Sequence, residues 1–151
     1  MKQKLLLFIF FFTLGNGPVQ ATELGVDGFV SINHEEVSLY THSYAFVGSD
    51  SFRFGAVQII ETPHDYLTDK ISAVGVRFGG DRYLEIAVGR FTRTFNESRA
   101  TGSGTIIQYG GLVNDWCSIS LPIVIKKITA GDLRNRTLIE ATPQIGIRFG
   151  L

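Results

Sequence analysis

The residues of this chain best suited to moving a proton near neutral pH are its histidines. His42 stands beside Ser43, and His64 stands beside Asp65. A histidine next to a hydroxyl suggests a base and its nucleophile. His42-Ser43, however, lies in a run that reads as a strand, where successive side chains point to opposite faces. Ser43 then faces away from His42, and the expected role of His42 is that of a hydrogen-bonded polar group inside the fold. His64-Asp65 falls in a polar stretch, 62–69, that reads as a solvated loop. His42, His64 and Asp65 are the candidates for catalysis, and a structural role outweighs catalysis for each. No Gly-rich phosphate loop or Ser-His-Asp spacing appears. Cys117 is the only cysteine, which excludes an internal disulfide and a cysteine metal cluster. Neither a metal nor a cofactor is expected.

The elements that would position these residues begin after an address. Lys2 and Lys4 precede the apolar run from Leu5 to Leu14. Gly15, Gly17 and Pro18 break that run, and Val19-Gln20-Ala21 offers small residues for cleavage. Residues 1–21 read as a secretory signal peptide, with cleavage near Ala21. The remaining segment, 22–151, suits one domain. Without Lys2 and Lys4, 12 of the 14 basic residues face 14 acidic ones, so no basic field invites nucleic acid. No later segment is apolar for the roughly 18 residues a spanning helix needs.

Eight strand-like segments follow: 24–33, 37–47, 52–61, 70–78, 82–95, 104–113, 116–130 and 137–151. The connections after the second, fourth and sixth are tight. Those after the third, fifth and seventh, at 62–69, 96–103 and 131–136, read as longer and more polar. Outer-membrane barrels alternate in this way. In the fourth segment Val74, Val76 and Phe78 alternate with Ala73, Gly75 and Arg77; in the fifth, Leu84, Ile86 and Val88 alternate with Tyr83, Glu85 and Ala87. One face is aliphatic and the other mixes charges with glycine and alanine. A soluble barrel that holds a ligand puts its large apolar residues inside. Residues too small to cover an outer surface suit the interior of a narrow eight-stranded barrel.

This pattern predicts an all-β, eight-stranded, antiparallel, up-and-down transmembrane β-barrel. Asp27, Arg53, Arg77, Glu85, Lys126 and Arg148 are expected to pair across its lumen, because a buried charge is tolerated only when paired. Phe46, Phe52, Phe54, Phe78, Tyr83, Trp116 and Phe149 fall near the tight turns or the last residues, and are expected as an interfacial girdle. Tyr66, Phe91 and Phe95 would mark the opposite interface. Pro122 and Pro143 each remove a ladder hydrogen bond from the last two strands. That suggests either a local bulge or a seam between them.

The alternation of the final I-G-I-R-F-G-L (Ile145–Leu151), the signal peptide and the turn rhythm resemble the small eight-stranded outer-membrane barrels. That class includes the OmpA transmembrane domain, OmpX and the opacity-type adhesins. The resemblance implies a monomer in the outer membrane of a Gram-negative bacterium. Its partners would be outer-membrane lipid and lipopolysaccharide, and barrel-assembly machinery that reads the last strand. A structural or surface-interaction role is expected. One alternative is an enzyme acting on lipid A or phospholipid. Barrels of that kind that remove acyl chains use a His-x-Ser pair, which His42-Ser43 does not match. The other is a soluble periplasmic, lipocalin-like barrel binding a small apolar ligand.

Overall fold

The computed structural model describes residues 23–32, 39–49, 51–64, 66–131 and 134–150. They form β1 (Glu23–Ile32), β2 (Leu39–Gly48), β3 (Phe52–His64), β4 (Leu67–Phe78), β5 (Arg82–Phe95), β6 (Ser98–Asn114), β7 (Cys117–Ala130), β8 (Thr137–Ala141) and β9 (Gln144–Gly150). Every pairing is antiparallel, and each strand from β1 to β8 pairs with its successor in sequence except that β8 and β9 share one position beside β7. The sheet therefore has eight strand positions in up-and-down order. β9 also pairs with β1, from Val30↔Ile145 to Gly25↔Gly150. The sheet is not closed along its whole height: β8 pairs with β7 alone among the described residues.

The registers reveal a steady stagger. Gly25 leads through Phe46, Gly55, Gly75, Ala87, Ile106 and Val124 to Glu140. β1 itself sets Gly25 against Gly150, so the path is offset by the ten residues from Glu140 to Gly150. Over eight positions that stagger corresponds to a strand tilt of about 40°. The sheet curls around an inner face that carries His42, Arg77, Glu85 and Lys126. Its outer face carries Val74, Val88, Ile119 and Ile145.

Strands extend further than composition suggests. The stretches 62–69 and 96–103, expected as longer loops, are largely strand: β3 runs to His64, β4 starts at Leu67 and β6 starts at Ser98. Their polar residues alternate between faces, with Asp69 inward and Lys70 outward, so polarity there does not signal a loop. The β5–β6 turn is only Asn96-Glu97, and Asn96 takes a φ of 49°, a left-handed conformation that asparagine tolerates. The expected final strand 137–151 is instead two segments, because Thr142 and Pro143 leave the ladder.

Two glycines set interior spacing. A Cβ on Gly110 would lie 2.3 Å from Cζ of the buried Tyr83, and one on Gly104 would lie 2.9 Å from Cγ2 of Ile71. Gly110→Val should therefore destabilise the fold by about 1–3 kcal/mol, as overpacking does. Gly28→Ala meets nothing within 4 Å and should stay within about 0.5 kcal/mol of wild type. Equilibrium urea unfolding followed by Trp116 fluorescence measures both; equal effects would refute the packing account.

Candidate functional site

The inner face holds two charged clusters with apolar side chains between them. On β4, Arg77 near the tight turns and Asp69 at the opposite end are separated by Ala73 and Ile71. On β3, Val57 and Ile59 separate Arg53 from Glu61. On β5, Ala87 and Phe91 separate Glu85 from Arg93. The alternation of each strand aims these groups at one another from different walls.

The first cluster is built on Arg77, Glu85 and two tyrosines. Arg77 Nη2 donates to Glu85 Oε2 at 2.7 Å and Arg77 Nε donates to the same oxygen at 3.1 Å. Glu85 Oε1 lies 3.3 Å from His42 Nε2. The Arg77 guanidinium sits 4.4 Å from the Tyr44 ring centroid and 4.2 Å from that of Tyr83. Arg53 lies over Phe46 at 4.6 Å, and Phe46 stacks on Tyr44. Guanidinium groups are weakly hydrated and planar, so aromatic faces can replace much of their water. Gln108 Nε2 donates to the Tyr83 hydroxyl at 3.3 Å. Ser120 and Gln144, register partners on β7 and β9, are also buried; Ser120 Oγ, Gln144 Oε1 and Gln144 Nε2 have no hydrogen-bond partner among the described residues.

The second cluster converges on Lys126. Its Nζ donates to Glu61 Oε2 and Asp69 Oδ2, each at 2.7 Å, and pairs with Glu140 Oε2. Arg93 binds Asp69 in a two-pronged pair, Nε to Oδ1 and Nη2 to Oδ2, both at 2.7 Å. Oxygens of Glu61, Asp69 and Glu140 lie within 4.8 Å of one another, a grouping that could hold a metal ion by residue type. Here the Lys126 ammonium is the cation among them, so the cluster is read as an ion-pair network.

The sequence candidates distribute unevenly over this geometry. Arg53, Arg77, Glu85 and Lys126 are all buried on the inner face. Asp27 and Arg148 are register partners on β1 and β9, and their side chains lie outside the described residues. Phe52, Phe54, Phe78 and Trp116 are exposed, with Phe52 and Phe78 in contact across β3 and β4. Phe46 and Tyr83 do not belong to an interfacial girdle: both are buried inside, where they face arginines. Phe91, placed by sequence at the opposite interface, is likewise buried. Aromatic type near a turn does not fix the face; strand parity does. Only the backbone of Phe149 is described.

Of the catalytic candidates, only the His42 side chain is described. His42 points inward to Glu85, whereas Ser43 Oγ donates to the Gln58 carbonyl at 3.4 Å on the other side of the sheet. Asp65 and the His64 side chain lie outside the described residues. Glu61, Asp69, Arg93 and Glu140 were missed from sequence. Their shared parity with Ile59, Ile71, Phe91 and Leu138 was the available signal.

Lys126→Met should destabilise the protein by about 3–5 kcal/mol, because it leaves Glu61 and Glu140 facing Asp69 without the ammonium they share. Adding Glu61→Gln and Glu140→Gln to that variant, which leaves the Asp69–Arg93 pair intact, should restore most of the loss. Urea unfolding of the single and triple variants tests the pair of expectations, and an unaffected single variant would refute the network. No protein-family model matches this chain, and no curated protein matches it.

Proposed function

We propose that this chain is an eight-stranded transmembrane barrel of a Gram-negative outer membrane, delivered by the signal peptide of residues 1–21, with a structural or surface-interaction role. One observation carries the reading: large apolar side chains cover the outer face while charged groups sit inside, among an apolar core. Glu85 and Lys126 are 0 % exposed, while Val88 is 54 %, Ile119 56 % and Ile145 63 % exposed. In water this arrangement gives up hydrophobic burial and confines charges; against lipid both choices become favourable.

The height of the outer apolar surface fits that reading. On β5 the outward, exposed Arg82 and Arg90 bracket Leu84, Ile86 and Val88. Their eight-residue separation spans about 26 Å along the strand, or roughly 20 Å along the axis after tilt. That is close to the apolar band of such barrels, and arginines at its edges can extend their heads to water. The interior is filled by side chains, which argues against bulk conductance. Ser43, the hydroxyl next to His42 in sequence, faces the other side of the sheet, which argues against that pair as a catalytic unit. A lipocalin-like soluble barrel shares an apolar interior but would need a polar outer face where Val74, Val88, Ile119 and Ile145 are exposed.

Fractionation of the expressing cells tests the proposal. The mature protein should remain with outer membranes through high salt and carbonate washes, and dissolve only with detergent. In detergent the folded form should migrate differently from the boiled form on a gel. Recovery in the soluble periplasm without detergent would overturn the reading.

A further inference from the structure

One row of polar side chains crosses the outer face obliquely, climbing with the strand stagger from β2 to β7. Register partners Ser43, Gln58, Ser72, Arg90, Ser103 and Lys127 follow one another from β2 to β7, all on the outer face. Lys70 stands one outward position above Ser72, beside Thr92 of β5. Lys70 and Arg90 are therefore diagonal neighbours on adjacent strands, within reach of a shared anion given their long side chains. Both are exposed, and neither has an ion-pair partner among the described residues. Every acidic residue on β3 to β8 (Glu61, Asp69, Glu85 and Glu140) belongs to the inner face. Outward cations on a sheet are ordinarily stabilised by opposite charges on the next strand. Here the register partners are Ser72 and Ser103 for Arg90, and Ile60 and Thr92 for Lys70; none is acidic, and the hydroxyls can donate to an anion supplied from outside.

Directly below this pair lies an open groove of about 600 Å³. Its lining includes Ser43, Ala45, Ala56, Ser72, Val74 and Val88. Ser72 belongs to both features: it pairs with Arg90 and lines the groove. A bulk anion would use the cations and ignore the groove, whereas an acyl chain would use the groove and ignore the cations.

We infer that Lys70 and Arg90, together with this groove, form a site for one membrane lipid with a phosphate-bearing headgroup. The phosphate sits between Lys70 and Arg90, within reach of the hydroxyls of Ser72 and Thr92. One acyl chain lies in the groove over Ala45 and Ala56. The inference rests on the transmembrane reading and adds to it a specific headgroup chemistry on one side of the barrel.

Native mass spectrometry of the detergent-folded protein tests the site. The probes are phosphatidylglycerol, diacylglycerol of the same acyl chains, and inorganic phosphate. Wild type should retain one phosphatidylglycerol and release diacylglycerol, and inorganic phosphate should neither bind nor displace the lipid. Each basic residue near an anionic headgroup contributes about fivefold, so Lys70→Gln with Arg90→Gln should weaken retention about twenty-five-fold. Ala56→Trp, which fills the groove from the outer face, should also weaken it. Arg82→Gln, outward on the same strand but at the other end, should not. Unchanged retention in the double variant, equal retention of diacylglycerol, displacement by inorganic phosphate, or an equal effect of Arg82→Gln would overturn the site. A chain that is soluble without detergent sinks the transmembrane reading and the site together. One that folds in detergent but ignores the double substitution sinks the site alone.

Discussion

Lys126 is the cation on which the interior depends. Its ammonium meets carboxylates from β3, β4 and β8, positions that pair with β7 only in the last case. An interior charge costs several kcal/mol to remove from water unless its partners surround it. Those partners can converge only if the sheet curls until distant strands face one another. The pairs from Lys126 to Glu61 and Asp69 thus act across the curvature, while the backbone ladder acts along it. Arg77 makes the same demand at the other end, where β4 and β5 supply the ion pair and β2 supplies Tyr44 and His42.

Interior volume then limits what may stand between the clusters. With eight strand positions, the space on the concave side of the sheet is only just wide enough for side chains. Large groups on one wall therefore need small ones opposite or beside them. Tyr83 lies against Gly110, Ile71 lies against Gly104, and Ala87 lies close to Gly75. The glycines that look like strand breakers in isolation are the positions that admit Tyr83 and Ile71. This is why high glycine content accompanies long strands here.

Much of the architecture was legible from period-two alternation. The outward set Val74, Val76, Phe78, Leu84, Ile86 and Val88 follows from parity alone, as does the inward placement of Arg53, Arg77, Glu85 and Lys126. Two kinds of feature were not legible. Phe46, Tyr83 and Phe91 were read by type and nearness to a turn, although their parity matches Tyr44, Glu85 and Ala87 on the inner face. Glu61, Asp69 and Glu140 come from different strands, and their convergence depends on the stagger between strands. No single segment records that stagger; it arises only when all the registers are joined.

The two prolines show the same dependence on register. Read separately, Pro122 and Pro143 are two interruptions in two strands. The registers Ser120↔Gln144 and Ile123↔Ala141 place Leu121-Pro122 opposite Thr142-Pro143. The prolines therefore share one gap, and the pairing resumes in step on both sides of it. Pro122 still faces Gln108 across the β6–β7 ladder. Beyond the gap, β8 has five residues and β7 as its pairing partner, a short hold for an edge segment. Glu140 adds to it by reaching Lys126 from the inner face. The interior network thus compensates, through one side chain, for ladder bonds that the shared gap removes.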